Sequence, residues 1–250
     1  MFVFWGHIQV APYNPNPTSI ISPNPFLFEG KILKNINAVP EVLSVHPYLV
    51  KPAIMQTDDL MEGIKLKGVN ESFPLVSGSA IRYQGDPISF NEEGYSSDII
   101  ISETVLNRLD KQIGDSILLY FINTDSEFPR IRKVNISGSF HTGMEEIDKN
   151  FAYCDMRLLQ RVSNWNENAI HGYQVAIEDY TKADEVAEFI YQEYLDPPMN
   201  KITMEEIYPN IFSWLALMNT NAYIILAIMA IVGVINMSTA LLIFILERIS

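Results

Sequence analysis

AYIILAIMAIVGVINMSTALLIFIL, residues 222–246, is 25 residues long and holds no Asp, Glu, Lys, Arg or His. As a helix, at about 1.5 Å per residue, it reaches roughly 38 Å. The hydrocarbon core of a bilayer is about 30 Å thick. A surface helix of a soluble domain needs one apolar stripe, whereas this stretch is apolar all round. The reading is a transmembrane helix. The uncharged run extends back to Ile207. Residues 205–221 form a membrane-proximal segment, helix-compatible beyond Pro209 and rich in Phe, Trp, Leu and Met.

The flanks orient the helix. Glu205 and Glu206 precede it and Arg248 follows it. The positive-inside rule then puts Ser250 in the cytoplasm and everything before the helix on the outer side. Little sequence follows Glu247 and Arg248, and Met1-Phe-Val-Phe-Trp is not a signal peptide because it has no basic start, long apolar core or small-residue cleavage site. The chain reads as an excerpt with both ends missing.

Residues 1–204 have room for one large or two small domains with real cores. The net charge is −13, nearly all of it ahead of the apolar stem. There is no basic stripe, which excludes a nucleic-acid surface, and the acidic balance disfavours lying flat on anionic lipid. Cys154, the single cysteine, can form no internal disulfide. Its setting, Phe151-Ala-Tyr-Cys, is that of a small buried hydrophobe rather than a nucleophile.

The pattern along residues 1–204 alternates between helix and strand periods. Residues 5–13 read as a strand, then a loop carries NPNP and SPNP. Phe26 to Val39 has near-helical apolar spacing. Leu43 to Gln56 and Gly63 to Val69 are β-rich, and residues 70–98 read as irregular. Ser102 is placed to cap a short helix through Leu109. Ser116 to Asn123 and Ile131 to Phe140 read as a hairpin with a polar tip. Gly172 to Glu178 is a further strand. Lys182 to Tyr194 is an amphipathic helix with Val186, Ala187 and Ile190 on its apolar face, ended by Asp196-Pro-Pro. The fold class is therefore α+β: a discontinuous α/β subdomain, about 5–98 and 172–196, with a β-rich insert, about 99–168.

Catalytic signatures are missing. There is no G-x-x-x-x-G-K and no G-x-G-x-x-G. His7, His46, His141 and His171 are scattered, with no metal-ligand spacing. Glu145, Glu146 and Asp148 are too few oxygen ligands for a calcium loop, and a solvated turn explains them better. Nothing points to an enzyme or to a cofactor held by this chain. Inside the stem, Gly233, Asn236, Ser238 and Thr239 interrupt the apolar run. Asn236 facing lipid is costly, so Gly233, Asn236 and Thr239 are candidates for helix packing or for lining a cavity.

Several stretches, in order and spacing, resemble one family. They are Gly6-His7-Ile8-Gln9-Val10; Ile99-Ile-Ile-Ser-Glu103 with Leu106, Leu109 and Gly114-Asp115-Ser-Ile-Leu-Leu-Tyr120; Ser137-Gly-Ser-Phe-His-Thr-Gly143 with Glu146 and Asp148; Gly172-Tyr-Gln-Val175; Ile211-Phe-Ser-Trp-Leu215; and Ile235-Asn-Met-Ser-Thr-Ala-Leu-Leu-Ile243 closing on Leu246-Glu-Arg248. Together they resemble the lipoprotein-releasing (LolC/LolE-type) permeases of ABC transporters, whose outer domain is of the MacB type. The last match is the most specific, because a stem ending in Leu-Glu-Arg precedes that family's cytoplasmic coupling helix.

The resemblance implies a four-span inner-membrane permease, of which this chain is the periplasmic domain with a porter-like α/β part plus the second membrane helix. It implies a cytoplasmic ATPase that binds the ATP, a second permease protomer, lipoprotein cargo and a periplasmic lipoprotein carrier. Phe212, Leu215 and Met218 become candidates for the cargo path, since acyl chains leaving the bilayer need an apolar surface at that height. Trp214 is an alternative interface anchor. Glu247 and Arg248 would start the coupling region. Asn123, Phe128, Pro129 and Arg130 form the candidate carrier-contact loop. One departure stands out: the carrier-recruiting permease has a long, Pro-rich loop here, whereas residues 122–132 are short and hold only Pro129. Alternatives are an FtsX-type or efflux-type permease that transmits mechanical motion or, if the chain is complete, a single-span interaction protein.

Overall fold

The computed structural model describes residues 2–13, 25–57, 60–75, 81–122 and 128–249. The chain divides into two units, Met1–Met204 and Glu205–Ser250. In the first, α1 (Phe2–Trp5) and β1 (Ile8–Pro12) are followed by β2 (Phe26–Leu27), α2 (Gly30–Asn37), β3 (Val42–Gln56), β4 (Met61–Val69) and β5 (Arg82–Gly85). Then come β6 (Asp98–Ser102), α3 (Glu103–Arg108), β7 (Ser116–Phe121), β8 (Arg130–His141), α4 (Glu145–Asn150), β9 (Phe151–Asp155) and α5 (Met156–Ser163). The unit closes with β10 (Ala169–Ile170), β11 (Gly172–Ile177), α6 (Ala183–Tyr194) and β12 (Met199–Thr203). Across the boundary lie α7 (Met204–Ile207) and then α8 (Pro209–Ile249).

β3 organises the first unit because it is long enough to serve two neighbourhoods. Its first half pairs with β11, which pairs with β1, which pairs with β12. Its second half pairs with β4 on one side and β7 on the other. From β4 the pairing continues through β9, β6 and β8 and returns by β7 to β3, so the strands close on themselves. Closure removes edge strands that would otherwise offer unpaired backbone groups. Leu49, Ala53 and Met55 alternate inward along β3 and meet Leu66, Ile99, Ile101, Leu119, Ile136 and Cys154 in one core. Cys154 is fully buried, and burial pushes its thiol pKa well up, so it is packing material and not a nucleophile.

β6 is covered on both faces. Ile99 and Ile101 belong to that core, while Ile100 packs in a second cluster with Phe4, Phe140 and Tyr153. This is why Asp-Ile-Ile-Ile-Ser does not alternate. Ser102 ends the strand and caps α3, its Oγ accepting from the Val105 N–H at 3.1 Å. At the other end of the unit, α6 buries Val186, Ala187 and Ile190 in the core that also holds Ile8 and Tyr173.

The helical spacing from Phe26 is realised only from Gly30. Phe26–Leu27 instead pairs with β10, and the Tyr173 hydroxyl holds Glu29, accepting from its N–H at 2.7 Å and donating to its carbonyl at 3.1 Å. That side-chain grip keeps the backbone extended at Glu29. The stretch 70–98 contains β5, which pairs with β8, so it is not wholly irregular. In the middle segment α3 follows Ser102 as expected, and among the described residues α4 and α5 are further helices that the sequence reading did not mark. From Pro209 onward the membrane-proximal segment and the apolar run are one helix, α8, of 41 residues.

Candidate functional site

α8 starts with Pro209 at its first position, where a missing N–H costs nothing and the fixed φ suits a helix. Its 41 residues extend about 60 Å. The span Pro209–Arg248 is long and apolar enough to cross a membrane. Its side chains are exposed, apart from a half-buried Phe212. Backbone polar groups of such a helix are satisfied internally, which is what a hydrocarbon medium requires. The hydroxyls follow the same rule. Thr220 Oγ1 donates to the Ala216 carbonyl at 3.0 Å, Ser238 Oγ to Val234 at 2.8 Å and Thr239 Oγ1 to Ile235 at 2.9 Å.

The predicted residues on α8 differ in what they still need. Thr239 has spent its hydroxyl on its own helix, so it requires no partner for hydrogen bonding. Asn236 is exposed within the apolar run. Around Gly233 the space is open. Phe212, Leu215 and Met218 follow one another at intervals of three and share a broad face, with Leu215 and Met218 exposed. Glu247 and Arg248 are exposed in the last turn, where a cation complements the helix dipole.

The β7–β8 hairpin carries the second predicted group. Asn123 lies outside the described residues. Arg130 does not project as a free contact: its Nη1 donates to the Val162 carbonyl at 3.0 Å and to Asn164 Oδ1 at 2.8 Å, closing the C-terminus of α5. Phe128 is 77% exposed. Sequence reasoning missed the apolar side chains exposed on the strands of this region. The register puts Gln56 opposite both Met61 and Leu118, and Tyr120 opposite Ile131, so these side chains share one outward face. Met61, Leu118 and Ile131 are exposed there, and Ile122, just past β7, is exposed as well. Alternation could have assigned them to one face, but only the closed sheet shows that this face is left uncovered. Gln56 and, opposite Leu118, Lys133 interleave with these apolar side chains.

Asp148, Glu145, His141, His171 and His7 all make contacts within the domain. Asp148 is buried and accepts from the Thr142 N–H at 3.0 Å, Thr142 Oγ1 at 2.7 Å and the Gly143 N–H at 3.2 Å, while His141 Nδ1 lies 3.0 Å away. It ties the turn after β8 to α4, where Gly143 has φ +74°. Glu145 pairs with Lys149 on the next turn. Among the described residues no group of three His, Cys, Asp or Glu could hold a metal ion. His171 Nδ1 accepts from the Val50 N–H at 3.1 Å, and burial, with Lys51 adding to it, lowers its pKa to about 3. His7 Nδ1 accepts from the Ile177 N–H at 3.0 Å.

Comparison with known proteins follows the same two parts, the domain and the stem. No family model matches the chain. The "Lipoprotein-releasing system transmembrane protein LolC" of Xylella fastidiosa is 22% identical in strain 9a5c and 21% in strain Temecula1, over 213 residues, 84% of this chain and 51% of theirs. The chain resembles LolC-type permeases. It spans about half the length of these relatives. The periplasmic region of MacB from Actinobacillus actinomycetemcomitans superposes with a TM-score of 0.52 at 12% identity, covering 82% of this chain and 91% of that one. The extracellular domain of the noncanonic ABC-type transporter YknZ gives 0.49 at 15% identity, covering 78% and 99%. The α+β domain of this LolC-like chain thus has the MacB periplasmic fold, with an apolar helix of membrane-crossing length behind it.

Proposed function

We propose that this chain is part of a permease subunit of an ABC transporter that extracts lipoproteins from the bacterial inner membrane for transfer towards the outer membrane. The observation that carries the reading is the pairing, in one chain, of a MacB-type domain with a 41-residue helix whose stretch 222–246 is exposed and almost wholly apolar. The LolC likeness extends over 84% of the chain and supplies the lipoprotein specificity of the proposal. α8 crosses the inner membrane with Ser250 in the cytoplasm and the large domain in the periplasm. A separate cytoplasmic ATPase binds and hydrolyses ATP, and Glu247 and Arg248 begin the region that receives its motion. A second permease protomer packs against Gly233 and Asn236. The parts at 5–98 and 172–196 act as the porter and 99–168 as its insert.

Phe212, Leu215 and Met218 line the path of the acylated cargo. Each CH₂ moved from lipid to water costs about 0.8 kcal/mol, so an apolar face at this height lowers the barrier to extraction. The hairpin loop at Asn123, Phe128, Pro129 and Arg130 receives a periplasmic carrier. A second reading, a permease that transmits motion to an efflux or cell-wall system, is favoured by the engagement of Arg130 with α5, which leaves the short hairpin with fewer groups for a carrier.

Two measurements test the proposal. Photo-crosslinkers at 212, 215 and 218 in cells are expected to trap lipoproteins, and their failure at all three positions in an assembled, active complex overturns the cargo path. Asp125→Cys in the full-length protein is expected to label from the periplasm, and labelling only after lysis overturns the orientation.

A further inference from the structure

Lys67 is a fully buried lysine with no paired carboxylate among the described residues. Its Nζ donates to the Phe4 carbonyl and to Gln174 Oε1. Four rings surround the amine: Phe4 at 4.7 Å, Trp5 at 4.9 Å, Phe73 at 5.1 Å and Tyr48 at 5.7 Å. These groups come from α1, β3, the segment after β4, and β11. Burying an ammonium group is costly, and burial pushes the Lys67 pKa well down. The amine supplies two donors to two acceptors that an apolar residue would leave unpaired.

Those acceptors locate its role. Phe4 and Gly6 lead into β1, and the lead-in closes tightly on β11. Gly6 has φ +75°, and a Cβ there would sit 2.6 Å from Gln174 Cγ and 2.7 Å from the Val175 carbonyl oxygen. One residue on, the His7 N–H donates to Val175 at 2.8 Å and the His7 carbonyl accepts from the Met204 N–H at 3.1 Å. Ile8 is opposite Thr203 in the β1–β12 pair. The segment entering the domain and the segment leaving it for the stem are therefore fastened to each other, and Gln174 lies on the strand that holds the entering one.

We propose that Lys67 is the pin of a mechanical joint: by bridging the Phe4 carbonyl and Gln174 inside an aromatic cage, it locks the lead-in to β11 where that lead-in is bonded to Thr203 and Met204, so that the two ends of the domain move as one body. The structural half of this proposal stands independently of the transporter reading, and the half concerning force transmission rests on it.

The test uses the full-length permease assembled with its ATPase in lipid nanodiscs. Lys67→Met keeps the volume and removes the donors, and Gln174→Leu removes one acceptor and leaves the lysine. Both are expected to speed hydrogen exchange at least tenfold in peptides covering 2–8 and 200–206, with β6 and β8 peptides unchanged. ATPase activity is expected to persist while cargo release falls. Unchanged exchange at 2–8 in both variants, or a rise shared equally by β6 and β8, overturns the pin. Should Lys67→Met fail to fold, Gln174→Leu alone decides. Loosened lead-in with normal cargo release overturns the joint's mechanical role. A wild-type complex that releases no lipidated cargo overturns the transporter reading and leaves the exchange result standing.

Discussion

β6 and α8 are built from the same aliphatic residues and are used in opposite ways. Ile99, Ile100 and Ile101 are at most 1% exposed, whereas Ile224, Ile231 and Ile235 on α8 are 52–60% exposed. A strand leaves its backbone groups to neighbours, so β6 is stable only inside a sheet, here between β8 and β9. A helix satisfies its backbone alone, so α8 can present isoleucine on every side and leave the covering to lipid. Apolar residues thus fix that a segment avoids water, and the backbone's hydrogen-bonding arrangement fixes what may replace the water.

The largest expected effect comes from placing one charge in each region. Ile101→Lys puts an unpaired cation in the closed core, a change of several kcal/mol that should abolish the folded domain, read as loss of protease resistance. Ile231→Lys should leave that resistance intact and instead impair membrane integration, at a cost of about 2.5–3.5 kcal/mol in mid-helix. Equal protease resistance in the two variants would break the comparison.

Acid sharpens it next. His171 holds its neutral form in the core, with a folded pKa of about 3 against 6.5 for the free side chain. The unfolded chain therefore takes the proton first. The stability from the neutral ring is fully present above pH 6.5 and falls below it by about 1.4 kcal/mol per pH unit, towards pH 3. Burial lowers the pKa of His7 and His46 in the same direction. Chemical unfolding of the domain at pH 7 and pH 4.5 should show this loss, and His171→Phe should make it shallower. His171→Phe should also cost about 1–3 kcal/mol at pH 7, because the Val50 N–H loses its acceptor. An unaltered slope in that variant would assign the acid sensitivity to other groups. α8 has no Asp, Glu, Lys, Arg or His between its first residue and Glu247, so its helicity in detergent should not change over this range.

The smallest expected effects are those of two hydroxyls. Ser102→Ala removes the cap of α3 and should cost about 1 kcal/mol, seen as a lower denaturation midpoint. Thr239→Val removes a bond made within α8 itself and should leave helicity and membrane integration unchanged within error. A loss of complex assembly in Thr239→Val would show that this hydroxyl also serves a partner helix.

The sequence by itself determined the stem, the helix 183–194 with its buried Val186, Ala187 and Ile190, the Ser102 cap and the hairpin strands. Each rests on neighbours within a few residues, through a run, a repeat or a cap, and such interactions are legible from spacing alone. The resemblance to the permease family, rather than spacing, named Phe128 and Phe212, Leu215 and Met218 as candidates. The tertiary structure alone decided that β3 joins two neighbourhoods, that β7 closes the sheet, and that Tyr173 shortens the helix begun at Phe26. It alone showed Arg130 capping α5, Met61 sharing a face with Leu118, and Lys67 buried against Phe4 and Gln174. The residues in these contacts lie tens to more than a hundred positions apart, and no periodicity relates them. A lysine in a strand pattern reads as a solvent-facing residue until the fold puts four aromatic rings around it.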